Sequence, residues 1–585
     1  VGGEPSTMTS SGDRVWVGEA AAPKTHRGGT LTLANGAALV DTMAVNVSGG
    51  ATLKLAAAET LGSLAGAGML NLQSSTLTIG GSLNAVFSGT ISGSGGLAKT
   101  GSSIWTLGGA NTFSGGVNLS SGSLFVANNA ALGTGTLTVS AGVLASDSTA
   151  ARTLSNSVIL GGNLILGNAG NTGKLTLSGA LSLTGDRVLT LGSEVEISGG
   201  VGGANGITKT GALLTLSGTS TFAGALVIGG GSLTLASTGA LQTNSMVVAS
   251  GVTFDIANGA QVSSGATLNT DGTVNFNSAT VALARLNGAS SGLVSLNNTN
   301  LQISSGTFAG VLVDGTNAGS LEKVGAGLLT LSGVNTFSGS ATVSAGSLSI
   351  SAGSLATTSV VVGSAGFLTV ASGATLNQTA TLSLGGTVSF EGAAVTLAAL
   401  NGAASGVAKL SGTALTLSSG LFAGALADAG SSSRLVKVGG AALTLTGANT
   451  FSGSLSVNAG LLSLGGNASL ATNSLNVALG GTLSVAATAS VSSAAALAAD
   501  VVVNFNANLA LQTLTGSGSV NLNAAALTLA DGNFTGVLNN GAAAGSLVKT
   551  EAGLLTLSGS NTYTGATTVN AGTFTLASGG VLAGA

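Results

Sequence analysis

Five lysines recur along this chain at nearly constant spacing, and their ammonium groups are the most regular chemistry in the sequence. They are Lys99, Lys209, Lys323, Lys437 and Lys549, and successive members lie about 110–114 positions apart. They could form a column that binds an acidic ligand. Alternatively, each lysine leaves a sheet at a corner, where its charge keeps a strand edge soluble. Ammonium groups five coils apart would lie roughly 24 Å from one another, well beyond the screening length, so we expect the corner role.

An aromatic residue follows each lysine by 13 or 14 positions and ends an Asn-Thr-Phe/Tyr triplet in four of the five copies. We predict that the asparagine bonds its own turn backbone and that the aromatic ring fills the core. An exposed ring that stacks on a sugar is the alternative. The five aromatic markers are Phe113, Phe222, Phe337, Phe451 and Tyr563.

Catalytic groups are sparse. Only 18 acidic residues are spread over 585 positions, whereas glycan hydrolysis needs carboxylates that converge on one bond. Glu194 and Glu196 form a tight pair, and strand alternation places both on one face, where we expect them to be solvated. The single histidine, His26, has no serine or carboxylate partner at a recognisable spacing. We therefore predict no catalytic residue and no enzyme activity.

Metal and cofactor sites are also not indicated. Asp314, Asp428 and Asn540 each follow a phenylalanine by six residues, and the amide in the third copy favours a turn cap over a metal ligand. The absence of cysteine excludes thiolate ligands, disulfides and thiol catalysis. We predict no bound metal and no cofactor.

The elements that position these residues are short strands. β-Branched and leucine runs alternate with polar residues and are punctuated every eight to twelve positions by Gly, Asn and Ser, with 97 glycines and 2 prolines in all. Fixed-period self-similarity is typical of stacked repeats. The sequence predicts an all-β parallel β-helix (a β-solenoid) of about 26 coils with almost no helix, in which each 113-residue super-repeat spans five coils of roughly 22 residues.

Composition also argues against membrane insertion and nucleic-acid binding. No stretch approaches the 18 or more consecutive apolar residues of a membrane helix, so we expect no membrane insertion within this segment. The net charge of −3 provides no basic stripe for a phosphate backbone, so nucleic acid is not an expected partner.

The solenoid is predicted to form one continuous structural domain with three parts. These are an N-terminal cap or assembly segment at 1–28, divergent coils at 29–236, and three regular super-repeats at 237–585.

Residues 1–28 have an unusual composition, with both prolines and the only histidine. Trp16, Pro23 and His26 mark a possible assembly segment that docks on the last coil of another copy, since head-to-tail contacts that do not close generate filaments. An irregular cap over the first coil is the alternative.

The string K-T-G-x-G-x-L-T-L-S-G-x-N-T-Y/F-x-G, followed by V-x-A-G-x-L, is clearest after Lys549 and Lys323. It resembles the autotransporter-associated β-strand repeat, also called the passenger-associated transport repeat. The copy at Lys209 is looser, because Ser220 replaces the asparagine. The resemblance implies a right-handed parallel β-helix that is exported to the bacterial outer surface.

These observations predict a non-catalytic extracellular structural solenoid that acts as a stalk or adhesive passenger. Its possible partners are glycans or proteins of host or neighbouring cells. One alternative is a filament or sheath subunit that associates with itself end to end. Another is a solenoid enzyme that acts on polysaccharides.

Overall fold

The predicted β-solenoid is confirmed. A computed structural model describes residues 9–11, 23–36 and 38–583, and the contact pattern divides the chain into two compact units, 1–299 and 300–585. Parallel strands stack into about 28 turns, close to the predicted 26. The described residues contain no helix, and hence none long and apolar enough to cross a membrane.

Alternation of side chains explains why the chain coils. In the strand Thr253–Ile256, Phe254 and Ile256 are buried while Thr253 and Asp255 face outward. One turn later the strand Thr273–Phe276 pairs in parallel register. Like residues therefore stack on like, and each turn satisfies the backbone groups of the turn before it.

Unit 1–299 consists of short parallel strands, except that Thr9–Ser11 pairs antiparallel with Thr30–Leu33. This antiparallel pairing covers the edge of Thr30–Leu33 that lies opposite Thr52–Leu55. The strands are Thr9–Ser11, Lys24–His26, Thr30–Leu33, Ala44–Val47, Thr52–Leu55, Glu59–Leu61, Ser63–Gly66, Met69–Asn71, Leu77–Ile79, Ala85–Phe87, Thr90–Ser92, Leu97–Lys99, Ile104–Leu107, Val117–Leu119, Ser123–Val126, Leu137–Val139, Val143–Ser146, Arg152–Leu154, Val158–Leu160, Leu164–Leu166, Leu175–Leu177, Leu181–Leu183, Arg187–Leu191, Val195–Ile197, Val201–Gly202, Ile207–Gly211, Leu214–Leu216, Thr219–Ser220, Leu226–Ile228, Ser232–Leu235, Ala240–Leu241, Ser245–Val248, Thr253–Ile256, Gln261–Val262, Thr267–Thr270, Thr273–Phe276, Thr280–Asn287 and Leu293–Ser295.

In unit 300–585 each turn visits three stacks of strands. One turn passes through Lys323, Leu331 and Asn335 before it returns to the first stack at Val343. The strands are Asn300–Phe308, Val311–Val313, Ser320–Lys323, Leu328–Leu331, Val334–Asn335, Ala341–Ile350, Ser354–Leu355, Ser359–Val370, Thr375–Leu376, Thr381–Leu384, Thr387–Phe390, Ala394–Gly402, Val407–Leu410, Ala414–Phe422, Ala425–Asp428, Arg434–Lys437, Leu443–Leu445, Ala448–Asn449, Ser454–Val457, Gly460–Leu464, Ser469–Leu470, Ser474–Val477, Gly481–Val485, Ser490–Val491, Ala496–Ala499, Val502–Phe505, Leu509–Gly516, Ser519–Asn521, Ala526–Phe534, Val537–Asn539, Ser546–Lys549, Leu554–Leu557, Ser560–Asn561, Thr567–Val569, Thr573–Leu576 and Val581–Leu582.

One super-repeat does not span a whole number of turns, so the prediction of five coils per super-repeat is wrong. Lys437 lies in the stack of Leu417, a different stack from that of Lys323. The turns are shorter than predicted, at about 20 residues each, so one super-repeat spans about five turns and two thirds. Successive marker lysines in this unit therefore lie in different stacks. From Lys323 the ladder passes in register through Val343, Val362, Leu384, Gly402 and Phe422.

The predicted divisions at 28/29 and 236/237 stay predictions. Within each unit, the described residues keep the same pattern of stacked parallel strands.

Candidate functional site

The predicted solvent-exposed corner role of the five marker lysines is wrong, because their side chains are buried. Each is 0% exposed. The reason is strand register: Lys323 pairs with Ile303 on one side and Val343 on the other, both of them core residues. Alternation therefore points the lysine inward. The burial also leaves none of the five marker ammonium groups available to an acidic ligand in solution.

Backbone carbonyl oxygens replace water around each ammonium group. Lys437 Nζ donates to the carbonyl oxygens of Val438 at 2.6 Å and Gly439 at 2.7 Å, within its own turn. It also donates to Ala459 of the next turn at 2.9 Å. Three acceptors match the three N–H groups of an ammonium. We call this arrangement the lysine cage; its carbonyls come from the two residues after the lysine and from one residue a turn later.

The cage is repeated with small variations. Lys323 Nζ donates to Val324, Gly325 and Ala345 at 2.6, 2.7 and 3.0 Å. The other three lysines also use the carbonyl two residues after the lysine, and two of them also have a described bond to the next turn. These bonds join Lys99 to Gly101, Lys209 to Gly211 and Gly230, and Lys549 to Thr550, Glu551 and Ala571.

A left-handed residue turns one of the cage carbonyls inward. The residue two positions after the lysine has a φ of 80° at Gly211, 66° at Gly325 and 68° at Gly439. Glycine adopts this conformation at little cost. In the last copy Glu551 occupies the position with a φ of 57°, which strains a residue that carries a side chain.

A second glycine, one turn later, provides room. Gly231 follows the cage residue Gly230 and has a φ of 66°. A Cβ at Gly231 would collide with the Gly211 carbonyl oxygen and would lie 2.9 Å from Lys209 Nζ. The K-x-G element of the first four copies and the glycine one turn later, which follows an alanine in the last three copies, therefore encode the two halves of the cage.

Burial also changes the titration of the lysines. It lowers the pKa of Lys99 and of Lys209 to about 8. It lowers the pKa of Lys323 and Lys437 as well. A pKa near 8 keeps Lys99 and Lys209 mostly protonated at neutral pH, so that they can serve as hydrogen-bond donors to the carbonyls.

The aromatic markers fill the core, as predicted, and the alternative of exposed sugar-stacking rings is wrong. The four phenylalanines are 0% exposed and Tyr563 is 2% exposed. Tyr563 Oη lies 2.5 Å from the hydroxyl of Thr567. Burial raises the pKa of this phenol, so it stays neutral. The markers in the core are Phe113, Phe222, Phe337, Phe451 and Tyr563.

The asparagine of the triplet bonds its own turn, as predicted, and also ties it to both neighbouring turns. Asn449 Nδ2 donates to Gly447 at 2.9 Å and to Ser469 of the next turn at 3.2 Å. Its Oδ1 accepts from the Leu426 amide of the preceding turn at 3.3 Å. In the looser second copy the Ser220 hydroxyl accepts one amide hydrogen bond.

Turn capping at Asp314, Asp428 and Asn540 is confirmed. Asp428 accepts from the Ser433 amide at 2.9 Å and from the Ser452 amide at 2.8 Å. Asp314 and Asn540 make the equivalent bonds one super-repeat away on either side. Among the described residues, no three His, Cys, Asp or Glu side chains are placed together to hold a metal ion.

Three buried threonines belong to the same framework and were not predicted. Thr357, 0% exposed, has its hydroxyl in hydrogen-bond contact with the Gly339 carbonyl of the preceding turn. A repeated L-x-T-x-S string could have revealed them, since it marks the same corner in each copy. The three are Thr243, Thr357 and Thr472.

The acidic pair faces outward, as predicted, but is ion-paired rather than free. Lys174 Nζ lies 3.3 Å from Glu194 and 2.9 Å from Glu196. The Ser217 hydroxyl donates to Glu196 at 2.6 Å, and this bond, followed by that of Lys174, lowers the pKa of the Glu196 carboxyl. The carboxylates of Glu194 and Glu196 therefore bond to outward-facing side chains of neighbouring turns.

The possible assembly segment is divided between described and undescribed parts. His26 is buried in the strand Lys24–His26, and its Nε2 lies 3.1 Å from the Gly29 carbonyl oxygen. Pro23 is exposed. Trp16 lies outside the described residues.

Shallow grooves are among the concave features of the described surface. One of about 300 Å³ is lined mainly by small residues, Thr413 and Ser433 among them, with Arg434 at its side. Two acids lie at nearby turns, Asp428 and Glu391. Since this corner carries both signs of charge, it does not single out one class of ligand.

Comparison with known proteins agrees with this repeat geometry. A model of the passenger-associated-transport-repeat family matches four segments, which contain four of the five marker lysines. The looser copy at Lys209 is not among them. No curated protein and no solved structure matches the chain. The matched segments are 97–125, 321–350, 435–464 and 547–576.

Proposed function

We propose that this chain, a β-solenoid that carries passenger-associated transport repeats, is a non-catalytic structural stalk on the outer surface of a bacterium. The repeats and the solenoid fit an autotransporter passenger, and the repeat indicates secretion to the cell surface. The stalk role goes further and assigns the chain the task of spanning distance.

The observation that carries the proposal is the internal use of the repeated polar groups. The lysines, asparagines and capping residues that recur once per super-repeat bond backbone groups of their own or neighbouring turns. A binding array would present such groups to solvent. Groups that hold turns together instead specify a uniform ladder.

The absence of catalysis is part of the proposal. Glu59 is the most buried of the described acids, and both of its carboxylate oxygens accept backbone amides, from Ala38 and Leu39. Burial is the main cause that raises the pKa of this carboxyl. The nearby Asp41 also raises this pKa, but the hydrogen bonds of Glu59 go to backbone amides, which make this carboxylate a structural part of its turn.

Adhesion remains a secondary role within the same proposal. Glycans or proteins of host or neighbouring cells, and other copies of the chain end to end, are the candidate partners. The corner grooves are shallow and polar, which favours weak contacts along the flank over one specific receptor site.

The surface location is tested on intact producing cells with antibodies raised against the purified chain. We expect immunogold label on unpermeabilised cells, removed when an external protease is added. Label that appears only after permeabilisation would refute a surface stalk.

The non-catalytic role is tested with the purified chain and a panel of acidic and neutral polysaccharides. We expect no new reducing ends and no unsaturated products after prolonged incubation. Turnover of any one polysaccharide, lost when the nearest carboxylate is replaced by its amide, would establish an enzyme instead.

A further inference from the structure

We propose that the lysine cages are mechanical clamps that make the solenoid yield under tension in blocks bounded by the lysines. The proposal rests on unit 300–585, where three cages share one geometry. In each, the ammonium group joins carbonyls of its own turn to a carbonyl of the next turn. The inter-turn acceptors are Ala345, Ala459 and Ala571, at 3.0, 2.9 and 3.2 Å.

Ordinary turns lack this extra bond. In the stack that contains Lys437, the next two turns carry Val457 and Val477 at the same register position. These turns are held by ladder hydrogen bonds, by apolar packing and by neutral side-chain bonds such as that of Thr472 to the Gly453 carbonyl. A charge-assisted bond shielded from water is stronger than a neutral one, so a turn that carries a cage resists separation from its neighbour more than the turns between cages do.

The clamp bond must break before water reaches the ammonium group, and this order favours rupture in steps. The Lys437 side chain is 0% exposed, so water can hydrate the ammonium only after the two turns have separated. The gain in hydration therefore arrives after the bond to Ala459 has broken and does not lower the force needed to break it. Once the clamp opens, the apolar turns behind it separate at lower force until the next cage is reached.

The intervals between cages fix the size of the steps. Lys323, Lys437 and Lys549 follow one another at intervals of about 112–114 residues. An extended chain spans about 3.3–3.6 Å per residue, whereas a folded block of five to six turns is only about 27 Å tall. Each block should therefore lengthen the chain by about 340–380 Å when it yields.

The position of the cages around the solenoid axis also increases resistance to tearing. Because the super-repeat spans five turns and two thirds, the three cages of this unit lie in three different stacks of strands. No single stack carries all the clamps, so a tear that starts along one stack still meets a cage in another.

The proposal can be tested on the full chain with optical tweezers. The sequence contains no cysteine, so cysteines introduced at the exposed positions Ala318 and Ser578 would attach the two handles uniquely. Circular dichroism before pulling verifies that each variant is folded. We expect the wild-type chain to lengthen in two large steps of about 340–380 Å each.

The variant Lys437→Met removes the middle clamp and should merge the two steps into one of about 690–760 Å. Lys409→Met, which changes an exposed lysine of the same unit, should leave both steps in place. Steps of single turns, one all-at-once rupture of the wild-type chain, or an unchanged pattern in Lys437→Met would overturn the proposal. If Lys437→Met does not fold, the wild-type step lengths decide the matter alone.

This inference extends the stalk role, because a stalk that links a cell to a surface bears tension. The two can fail separately. Block-sized steps can be absent from a chain that is found on the cell surface, and they can be present in a chain that is not.

Discussion

The lysine cage leads to a sharp prediction for Lys437→Met. Methionine has nearly the length of lysine and fills the same core position, but it has no N–H group to donate. The substitution leaves the carbonyl oxygens of Val438, Gly439 and Ala459 without the donor that now lies 2.6, 2.7 and 2.9 Å away. Each of them is then an unpaired acceptor at a partly buried corner, where Gly439 is exposed and water can replace part of what the ammonium supplied.

The magnitude follows from two opposing terms. Each orphaned carbonyl costs about 0.5–1.5 kcal/mol at this partly buried corner, which gives about 1.5–4.5 kcal/mol for the three. Methionine avoids the cost of burying an ammonium group, which returns part of that loss. We expect a net loss of local stability of about 1–3 kcal/mol, which corresponds to about 5- to 150-fold in an opening equilibrium.

Hydrogen exchange measured by mass spectrometry provides the assay, because a repeat protein opens locally and a global unfolding curve would average over its turns. The amides of Arg434–Lys437 and Ser454–Val457 should exchange faster by the stated factor, while peptides around Lys323 stay unchanged. Lys409→Met, at an exposed position, should change exchange by less than about threefold. If the amides around Lys437 exchange at the wild-type rate or more slowly, the cage contributes nothing and the reasoning fails.

Three further predictions concern the same framework. Asn449→Leu should destabilise its turn by about 2–4 kcal/mol in the same exchange assay, because it leaves one amide and two carbonyls unpaired, whereas the exposed Asn473→Leu should have little effect. Glu551→Gly should raise local stability by about 0.5–1 kcal/mol, since it relieves a left-handed residue that carries a side chain; a loss of protection would contradict the strain. The pKa of Lys99 and Lys209 is lowered to about 8 from 10.5, so between these values the unfolded chain binds more protons and the free energy of unfolding should rise with pH. Lys99→Met with Lys209→Met should flatten that rise, and an equal slope in both proteins would refute the assignment.

The fold could be predicted from the sequence because its information is local and repeated. Strand alternation, corner glycines and a fixed period all point to stacked parallel turns, and the aromatic markers proved to be core residues. The number of turns was underestimated because the corners are short. The interval between register partners such as Lys323 and Val343 is therefore smaller than the coil length that the sequence predicted.

The position of the lysines could not be predicted from the usual preferences. Lysine is rarely buried, so a corner exposed to solvent is the expected location. The competing signal is the pair of glycines, Gly325 and Gly346, whose left-handed conformations bring carbonyl oxygens to a common point inside the corner. Predicting this convergence requires the strand register between turns. Sequence patterns fix the bounds of a strand only to within a few residues.

Amine acetylation followed by mass spectrometry tests the central claim that the repeated groups are internal parts of the ladder. Under native conditions Lys409 should be acetylated rapidly. The five marker lysines, all 0% exposed, should react only when the chain is unfolded. Acetylation of these lysines in the native chain at the rate of Lys409 would contradict the account and restore a column of ammonium groups open to a ligand.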